Sequence, residues 1–452
     1  MNIHLPFILL EMQQTTICAI ATPSGGALGI IRISGPHAID LTEKIFSGRH
    51  PLSQAKGYSL HYGNIINPVN GEIIDEVMLS LFKAPHSFTG EDSIEIAAHG
   101  SAYILQRICQ LLVSKGCTMA MPGEYTQRAF LNGKLDLTQA EAVADLIACR
   151  SASSHQLAMQ QMKGSISKKL TDLRSKLLRL TSLLELELDF SDHEDLEFAD
   201  RTQLLNIASE IRNEIKRLSN SFEQGNAIKN GIPVAIIGAP NVGKSTLLNA
   251  LLEEDRAIVS EIQGTTRDVI EESLTIDGLL FRFIDTAGIR HTDDTIEQLG
   301  IERSRQAAEK AKIILLVTEQ GKPYPDIETS KNQIVIRCLN KADINDSPSP
   351  DCDLHISAKQ GIGLDTLKQR IKAAIPDHND SVLITNLRHK TALDASLSDI
   401  NRVIDSLNLS IPTDLVAEDL RQCLTHLADI TGGAITTEET LSDIFSHFCI
   451  GK

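Results

Sequence analysis

The chain has 452 residues, 42% of them hydrophobic and 23% charged, which is enough apolar material for about three domains of ~150 residues each. Its net charge is −16, from 43 basic and 59 acidic residues, so no global basic field points to nucleic acid; any RNA would have to meet a local patch or another subunit. Eight scattered cysteines without a C-x-x-C pair exclude a disulfide framework and a zinc cluster, and fit a reducing, cytoplasmic setting.

Along the chain, Leu5 to Leu10 contains Pro6, is too short to span a bilayer and lacks a basic leader, so it reads as a ragged start. No transmembrane segment is expected, hence no membrane partner. From Thr16 to about Ala120 the pattern is mixed. Apolar stretches such as Gly29 to Ile33 and Glu76 to Phe82 alternate with turn residues and one helical segment, Ile104 to Val113. That predicts an α+β domain. Asp136-Leu-Thr-Gln139 has the form of a capped helix start. The chain is then helical to about Ser221, with apolar steps of three and four at Leu170, Leu173, Leu177, Leu180 and Leu184, and again at Leu204, Ala208, Ile211, Ile215 and Leu218. Such stripes are the buried faces of bundled helices, and the acidic break Asp189 to Glu197 reads as the turn between them.

Residues 232 to about 375 switch to strands alternating with helices, as in a parallel sheet. The predicted strands are 232–238, 279–285, 312–318, 334–339 and 354–357, with an Asp277-Gly278 hairpin turn before the second. Helical periodicity returns after Pro376 at Leu393, Leu397, Ile400, Ile404 and Leu407, then Leu420, Leu424 and Leu427. The fold expected is multidomain: an α+β N-terminal domain (1–120), an all-α helical domain in two halves (121–228 and 379–452), and an inserted Ras-like α/β P-loop G domain (229–378).

The chemistry begins at Gly238-Ala-Pro-Asn-Val-Gly-Lys-Ser245, which follows an apolar strand and precedes a helix starting Thr246-Leu-Leu. In that context the glycines let backbone N–H groups of Asn241, Val242, Gly243, Lys244, Ser245 and Thr246 turn onto phosphate oxygens at a helix N-terminus. Lys244 would reach the β- and γ-phosphates and the Ser245 hydroxyl would ligate Mg²⁺. Asn340-Lys341-Ala-Asp343 turns a nucleotide site into a guanine site, because Asp343 can accept from guanine N1–H and its 2-amino group, donors that adenine lacks. Ser357-Ala358-Lys359 is placed to offer a backbone N–H to guanine O6. Asp285-Thr286-Ala287-Gly288 supplies an aspartate for the Mg²⁺ shell and a glycine N–H to sense the γ-phosphate, and Gly264-Thr265-Thr266-Arg-Asp268 supplies Thr266 as the switch threonine on Mg²⁺. Four motifs in this order, each at a strand end, imply GTP. One departure follows: Ile289 stands where Ras-like enzymes carry the water-orienting glutamine, so hydrolysis needs another group. Candidates are Arg290, His291, Asp293, Asp294 and Glu297.

Other runs are more specific: Gly29-Ile-Ile-Arg-Ile-Ser-Gly35, Ser87-Phe-Thr-Gly-Glu-Asp92, Pro122-Gly-Glu-Tyr125, Arg128 to Leu137, Gln139 to Ile147 and the terminal Phe448-Cys-Ile-Gly-Lys452. With them the chain, from Thr16 to Lys452, resembles the MnmE (TrmE) family of bacterial tRNA-modification GTPases. The resemblance implies GTP hydrolysis coupled, with an MnmG/GidA-type flavoprotein that carries FAD, to building an aminomethyl or carboxymethylaminomethyl group on C5 of wobble uridine in certain tRNAs. The carbon donor it implies is 5,10-methylene-tetrahydrofolate, with 5-formyl-tetrahydrofolate as an analogue. It makes 1–120 a folate-binding and dimerisation domain, with Arg32, Glu95, Lys134 and Lys452 as folate contacts, and Cys449 the catalytic thiol. It also implies a homodimer, a heterotetramer with the flavoprotein, and G domains that pair around K⁺. Asn241 would ligate that ion by its side-chain oxygen, with carbonyls of Ser260, Ile262 and Thr265 completing the cage. Glu297 matches the family's water-orienting glutamate. Two departures stand out: residues 1–14 extend beyond the usual start, and Ser24-Gly-Gly-Ala27 replaces a more basic turn. The rival reading is a regulatory GTPase switch in ribosome assembly or stress. A switch has no reason to carry the folate positions or the terminal pentapeptide.

Overall fold

The computed structural model describes residues 14–189, 201–256, 272–284, 305–330, 332–344, 351–375, 382–409, 411–433, 441, 444–446 and 448–451. By contacts the chain divides into two compact units, residues 1–147, 159–216 and 391–452 in the first, 148–158 and 217–390 in the second.

The first unit contains a seven-stranded sheet built from β1 (Ile17–Ile20), β2 (Leu28–Ser34), β3 (Phe46–Gly48), β4 (Ser59–Ile66), β5 (Ile73–Phe82), β6 (Ser93–His99) and β7 (Thr118–Met119), in the order β3-β4-β5-β6-β2-β1-β7. Every pairing is antiparallel except β1 with β7. Alternation sorts the two faces, since successive side chains of a strand point oppositely. Ile31, Ile33, Val77, Leu79, Leu81, Ile94 and Ile96 pack against Leu105, Ile108, Leu111 and Leu112 of the helix Ala102–Lys115. That helix covers the predicted 104–113 and ends on Gly116 in the left-handed region. The other face of the sheet carries Leu60, Tyr62 and Met78, all exposed, beside Arg32 and Glu95.

In the same unit the predicted helix start at Asp136 is a closed capping box. Gln139 N–H donates to Asp136 Oδ1 at 2.9 Å, and Asp136 N–H donates to Gln139 Oε1 at 3.0 Å. The helices Ser165–Asp189 and Arg201–Asn220 bury the ten stripe residues read from the sequence. The helix Thr413–Thr431 packs on Ser165–Asp189, so helical segments from both sides of the α/β region share one unit. One expectation needs correction. Leu424 is only half-buried, and the inward stripe of Thr413–Thr431 runs Val416, Leu420, Cys423, Leu427, Ile430. Leu397 is likewise half-buried, while Val403 is inside. The acidic break beyond Asp189 lies outside the described residues.

The second unit holds a six-stranded sheet of β8 (Ile232–Ile237), β9 (Glu272–Ile276), β10 (Leu279–Phe283), β11 (Ile313–Glu319), β12 (Ile334–Asn340) and β13 (Leu354–His355), ordered β13-β12-β11-β8-β10-β9. All pairs are parallel except the β9–β10 hairpin, whose turn is the expected Asp277-Gly278, with φ of 48° and 81°. Strands β8 and β11 are buried along most of their length, as parallel strands covered by helices on both faces must be. This is the α/β P-loop architecture expected for this region.

No helix among the described residues is long and apolar enough to cross a membrane. All eight cysteines are free.

Candidate functional site

In the second unit, β8 runs into the glycine-rich loop and the helix Lys244–Arg256, with ligand-side backbone at the carboxyl end of a parallel sheet, where such folds place nucleotides. Two loop residues lie in the left-handed region, Asn241 at φ 61° and Gly243 at φ 96°. Asn tolerates that region better than most residues, and its exposed side chain makes no hydrogen bond among the described residues. Gly243 is required twice, by its φ and because a Cβ there would strike the Asn340 amide. Lys244 Nζ donates to the carbonyls of Gly238 (2.8 Å) and Ala239 (2.9 Å), so it is folded over its own loop. Burial lowers its pKa. An incoming polyphosphate acts in the opposite sense, favouring the charged form.

The segment expected to take the base is organised by Asn340, which is buried. Its Nδ2 donates to the Val242 carbonyl at 2.8 Å, and its Oδ1 accepts from Ala358 N–H at 3.0 Å. One side chain therefore ties the phosphate loop to the Ser357-Ala358 segment across 98 residues of sequence. Asp343 is exposed, and its Oδ1 accepts from Ser357 Oγ at 2.5 Å. The other carboxylate oxygen has no partner among the described residues. Lys341, at φ 66°, is held by Glu319 at the end of β11, and Lys322 together with Lys341 keeps the Glu319 carboxyl below its usual range. The expectation for Ser357-Ala358-Lys359 narrows here. Ser357 N–H donates to Ile362 and Ala358 N–H to Asn340, leaving the Lys359 N–H as the one without a partner among the described residues. Ser260, Ile262, Gly264, Thr265, Thr266, Asp285, Thr286, Ala287, Gly288 and Glu297 lie outside the described residues, as do Ile289 and the loop candidates after it.

The first unit brings together a second set. Arg32 on β2 and Glu95 on β6 are cross-strand neighbours joined by two contacts, Nε to Oε1 at 2.9 Å and Nη2 to Oε1 at 2.8 Å. The guanidinium also lies 5.7 Å from the Tyr125 ring centroid, and Tyr125 Oη donates to the Arg32 carbonyl at 2.8 Å. Its Nη1 donates to the carbonyl of Gly451 at 3.1 Å, which brings the terminal pentapeptide to this pair across 419 residues. Gly451 sits at φ 89°, where a Cβ would come within 2.8 Å of the Ile20 carbonyl. Phe445 and Phe448 anchor the tail in a cluster with Leu137 and Ala140, and Gly123 N–H reaches the Cys449 carbonyl at 3.4 Å. Cys449 itself is exposed. Lys134 is exposed too, its Nζ donating to the Pro85 carbonyl at 3.0 Å, so it belongs to the 84–92 loop rather than to the Arg32–Glu95 pair. Lys452 lies outside the described residues.

Sequence reasoning passed over one cluster. The Arg128 side chain is 2% exposed and pairs with Glu91 at 3.0 Å and Glu124 at 2.9 Å, while its remaining N–H groups bond the Thr15 carbonyl and hydroxyl. Ser34 Oγ donates to the same Glu91 at 2.8 Å, and Asn132 holds the Thr89 carbonyl at 2.8 Å. These residues fall within the most specific runs of the sequence, and their work is to fix the 84–92 loop against the helix Glu124–Leu131. The one local signal was a Glu four residues before an Arg on a helix.

Among the described residues no group of three or more His, Cys, Asp or Glu side chains is arranged to hold a metal.

Family models cover almost all of this chain. The model of the GTP-binding protein TrmE N-terminus matches residues 16–134, and the MnmE helical domain model matches residues 137–449. The protein named tRNA modification GTPase MnmE from Bacteroides fragilis is 53% identical over 471 aligned residues, covering 98% of this chain and 100% of the relative. The chain belongs to the MnmE family. MnmE proteins of Bacteroides thetaiotaomicron (53% identical, 98% of this chain, 100% of the relative) and Parabacteroides distasonis (52%, 97% and 100%) agree along their whole length. Membership of the MnmE family accounts for an otherwise odd combination, a guanine-type P-loop unit and a tail docked on a separate α+β sheet.

Proposed function

We propose that this chain is a tRNA modification GTPase, which binds and hydrolyses GTP while a tRNA wobble uridine is altered at C5. The observation that carries the GTP half is the Asn340 bridge, which holds the phosphate loop and the Asp343–Ser357 pair as one preformed frame. In our reading Asp343 accepts from guanine N1–H and the 2-amino group, Lys359 N–H meets O6, and Lys341 flanks the base. The loop residues Asn241 to Thr246 cradle the phosphates. Ser245 supplies a hydroxyl oxygen of the kind Mg²⁺ takes, with Thr266 the second ligand and Asp285 to Gly288 completing the γ-phosphate end.

Asn241 fits a K⁺ ligand, because its exposed amide oxygen is uncommitted among the described residues and hard oxygen suits an alkali ion. Ser260, Ile262 and Thr265 would supply the carbonyls and Glu297 would orient water, the task Ile289 cannot perform. Hydrolysis should therefore run severalfold faster in K⁺ than in Na⁺ buffer of equal ionic strength. Equal turnover in the two would contradict the K⁺ assignment.

The modification half is supported by the tail. A nucleotide switch has no use for a cysteine-bearing pentapeptide fixed beside an Arg–Glu pair on another sheet. Glu95 keeps one carboxylate oxygen without a partner among the described residues, which fits a pterin edge presenting N–H donors. Arg32 is largely committed to Glu95 and Gly451, so it acts more as a bracket for the tail than as an anion ligand. Lys134 and Lys452 suit the anionic end of a tetrahydrofolate. The folate would supply the one-carbon unit, and Cys449 would be the thiol of the modification step. The exposed apolar row Leu60, Tyr62 and Met78 on the Arg32–Glu95 face supports a homodimer through this domain. The reading extends to an MnmG-type flavoprotein carrying FAD in a heterotetramer, a cytoplasmic location, and the four-part division at 120, 228 and 378.

A further inference from the structure

The chain is acidic overall, so RNA would meet a local patch or another subunit, and one stretch of this chain departs sharply from the average. Between residues 163 and 179 stand Lys163, Lys168, Lys169, Arg174, Lys176 and Arg179 against the single acid Asp172. They belong to the helix Ser165–Asp189 and the turn before it. The inner face of this helix is spent on Leu170, Leu173, Leu177, Leu180 and Leu184, all buried. Lys169 and Lys176 lean to one flank and pair with Glu214 (2.6 Å) and Glu210 (3.2 Å) of the helix Arg201–Asn220. Lys163, Lys168, Arg174 and Arg179 are exposed and form no ion pair among the described residues. At a rise of 1.5 Å per residue, Lys168 to Arg179 spans about 16 Å of outward surface.

We infer that the outward surface of the helix Ser165–Asp189 around Lys168, Arg174 and Arg179 is where the tRNA sugar–phosphate backbone is held; the inference rests on the tRNA-modification reading above. Three observations select RNA. Free ammonium and guanidinium groups around the outward half of the helix, Lys168 and Arg179 on its crest beside Asp172 and Arg174 on the flank away from Lys169 and Lys176, match phosphates of a backbone that wraps past it. A membrane-surface helix needs an unpartnered apolar face beside its basic one, and here that face is buried in protein. A protein interface is anchored by aromatic or aliphatic side chains, whereas this surface offers only Leu178 as an exposed large apolar residue. Contacts of this kind position the RNA without reading its sequence.

The test replaces Lys168, Arg174 and Arg179 together by Gln in the full chain, none of them belonging to the unit that holds the phosphate loop. Circular dichroism and GTP turnover should match the unaltered chain. Binding to fluorescently labelled tRNA in ~0.1 M salt should weaken at least tenfold, and the slope of log affinity against log salt should fall by roughly 2–3, one phosphate contact per side chain. Unchanged affinity and slope would overturn the inference, as would lost association with the flavoprotein at unchanged tRNA affinity. The nucleoside profile of a deletion strain separates the two layers. If wobble modification vanishes on deletion while the triple variant binds tRNA normally, only the surface assignment falls. If deletion leaves modification intact, the functional reading falls and takes this inference with it.

Discussion

Replacing Arg128 by Met should destabilise the first unit by about 3–5 kcal/mol, because it leaves two largely enclosed carboxylates without their cation. Arg128 is almost fully enclosed, with Glu91 and Glu124 on either side and Thr15 on its remaining N–H groups. A surface ion pair of the same geometry would contribute at most about 1 kcal/mol, since water competes for both ions. Burial changes the sign of the comparison: the whole cluster gains little over an apolar one, but removing one partner strands the others. At roughly 2–4 °C per kcal/mol for a unit of this size, thermal unfolding should move down by about 6–20 °C. Restoring neutrality with Glu91→Leu and Glu124→Leu in the Arg128→Met background should recover much of the loss. A melting temperature unchanged by Arg128→Met would show that the cluster is not the clamp described.

Asp343→Asn should invert base preference in the second unit. The Asp343 carboxylate is held by Ser357 Oγ through one oxygen, and in the proposed reading the other accepts from the base. Hydrogen bonds to a charged group are worth about 1.5–3 kcal/mol, so losing the charged acceptor should weaken GTP roughly 10–150-fold. Xanthosine triphosphate carries a carbonyl where guanine has its 2-amino group, and the Asn amide can donate to it. Its affinity should rise as that for GTP falls. Titration of fluorescent analogues of both nucleotides checks this. A variant that keeps its preference for GTP would remove Asp343 from the base site.

Much of the fold was legible because it is periodic. Leu170 to Leu184 and Leu204 to Leu218 repeat at helical spacing, and each residue named is buried. The Asp136–Gln139 box and the Asp277-Gly278 turn are local, four residues or fewer, and their side chains and φ values decide the geometry without distant help. What the sequence hides is long-range and charged. Arg128 stands in the sequence only as part of a specific run, and its role appears once Glu91, Glu124 and Thr15 close around it. Arg32 meets Gly451 across 419 residues, a distance at which no spacing rule operates. Asn340 was legible as part of a base-recognition motif, but its action on the phosphate loop is visible only once β8 and β12 are set on either side of β11. Cys423 displaced Leu424 from the inward stripe because a thiol packs as a small apolar group, which hydropathy alone ranks below leucine.

The central claim is that nucleotide turnover in the P-loop unit serves chemistry on tRNA. Mass spectrometry of tRNA nucleosides tests it most directly, in a strain lacking this chain and carrying no second copy, complemented by the unaltered chain or by Lys244→Ala. Lys244 Nζ is the one side-chain ammonium of the phosphate loop, so its removal should disable hydrolysis while leaving the sheet and tail of the first unit intact. The C5-modified wobble uridine should disappear on deletion, return with the unaltered chain and stay absent with Lys244→Ala. Unchanged wobble modification in the deletion strain would contradict the claim.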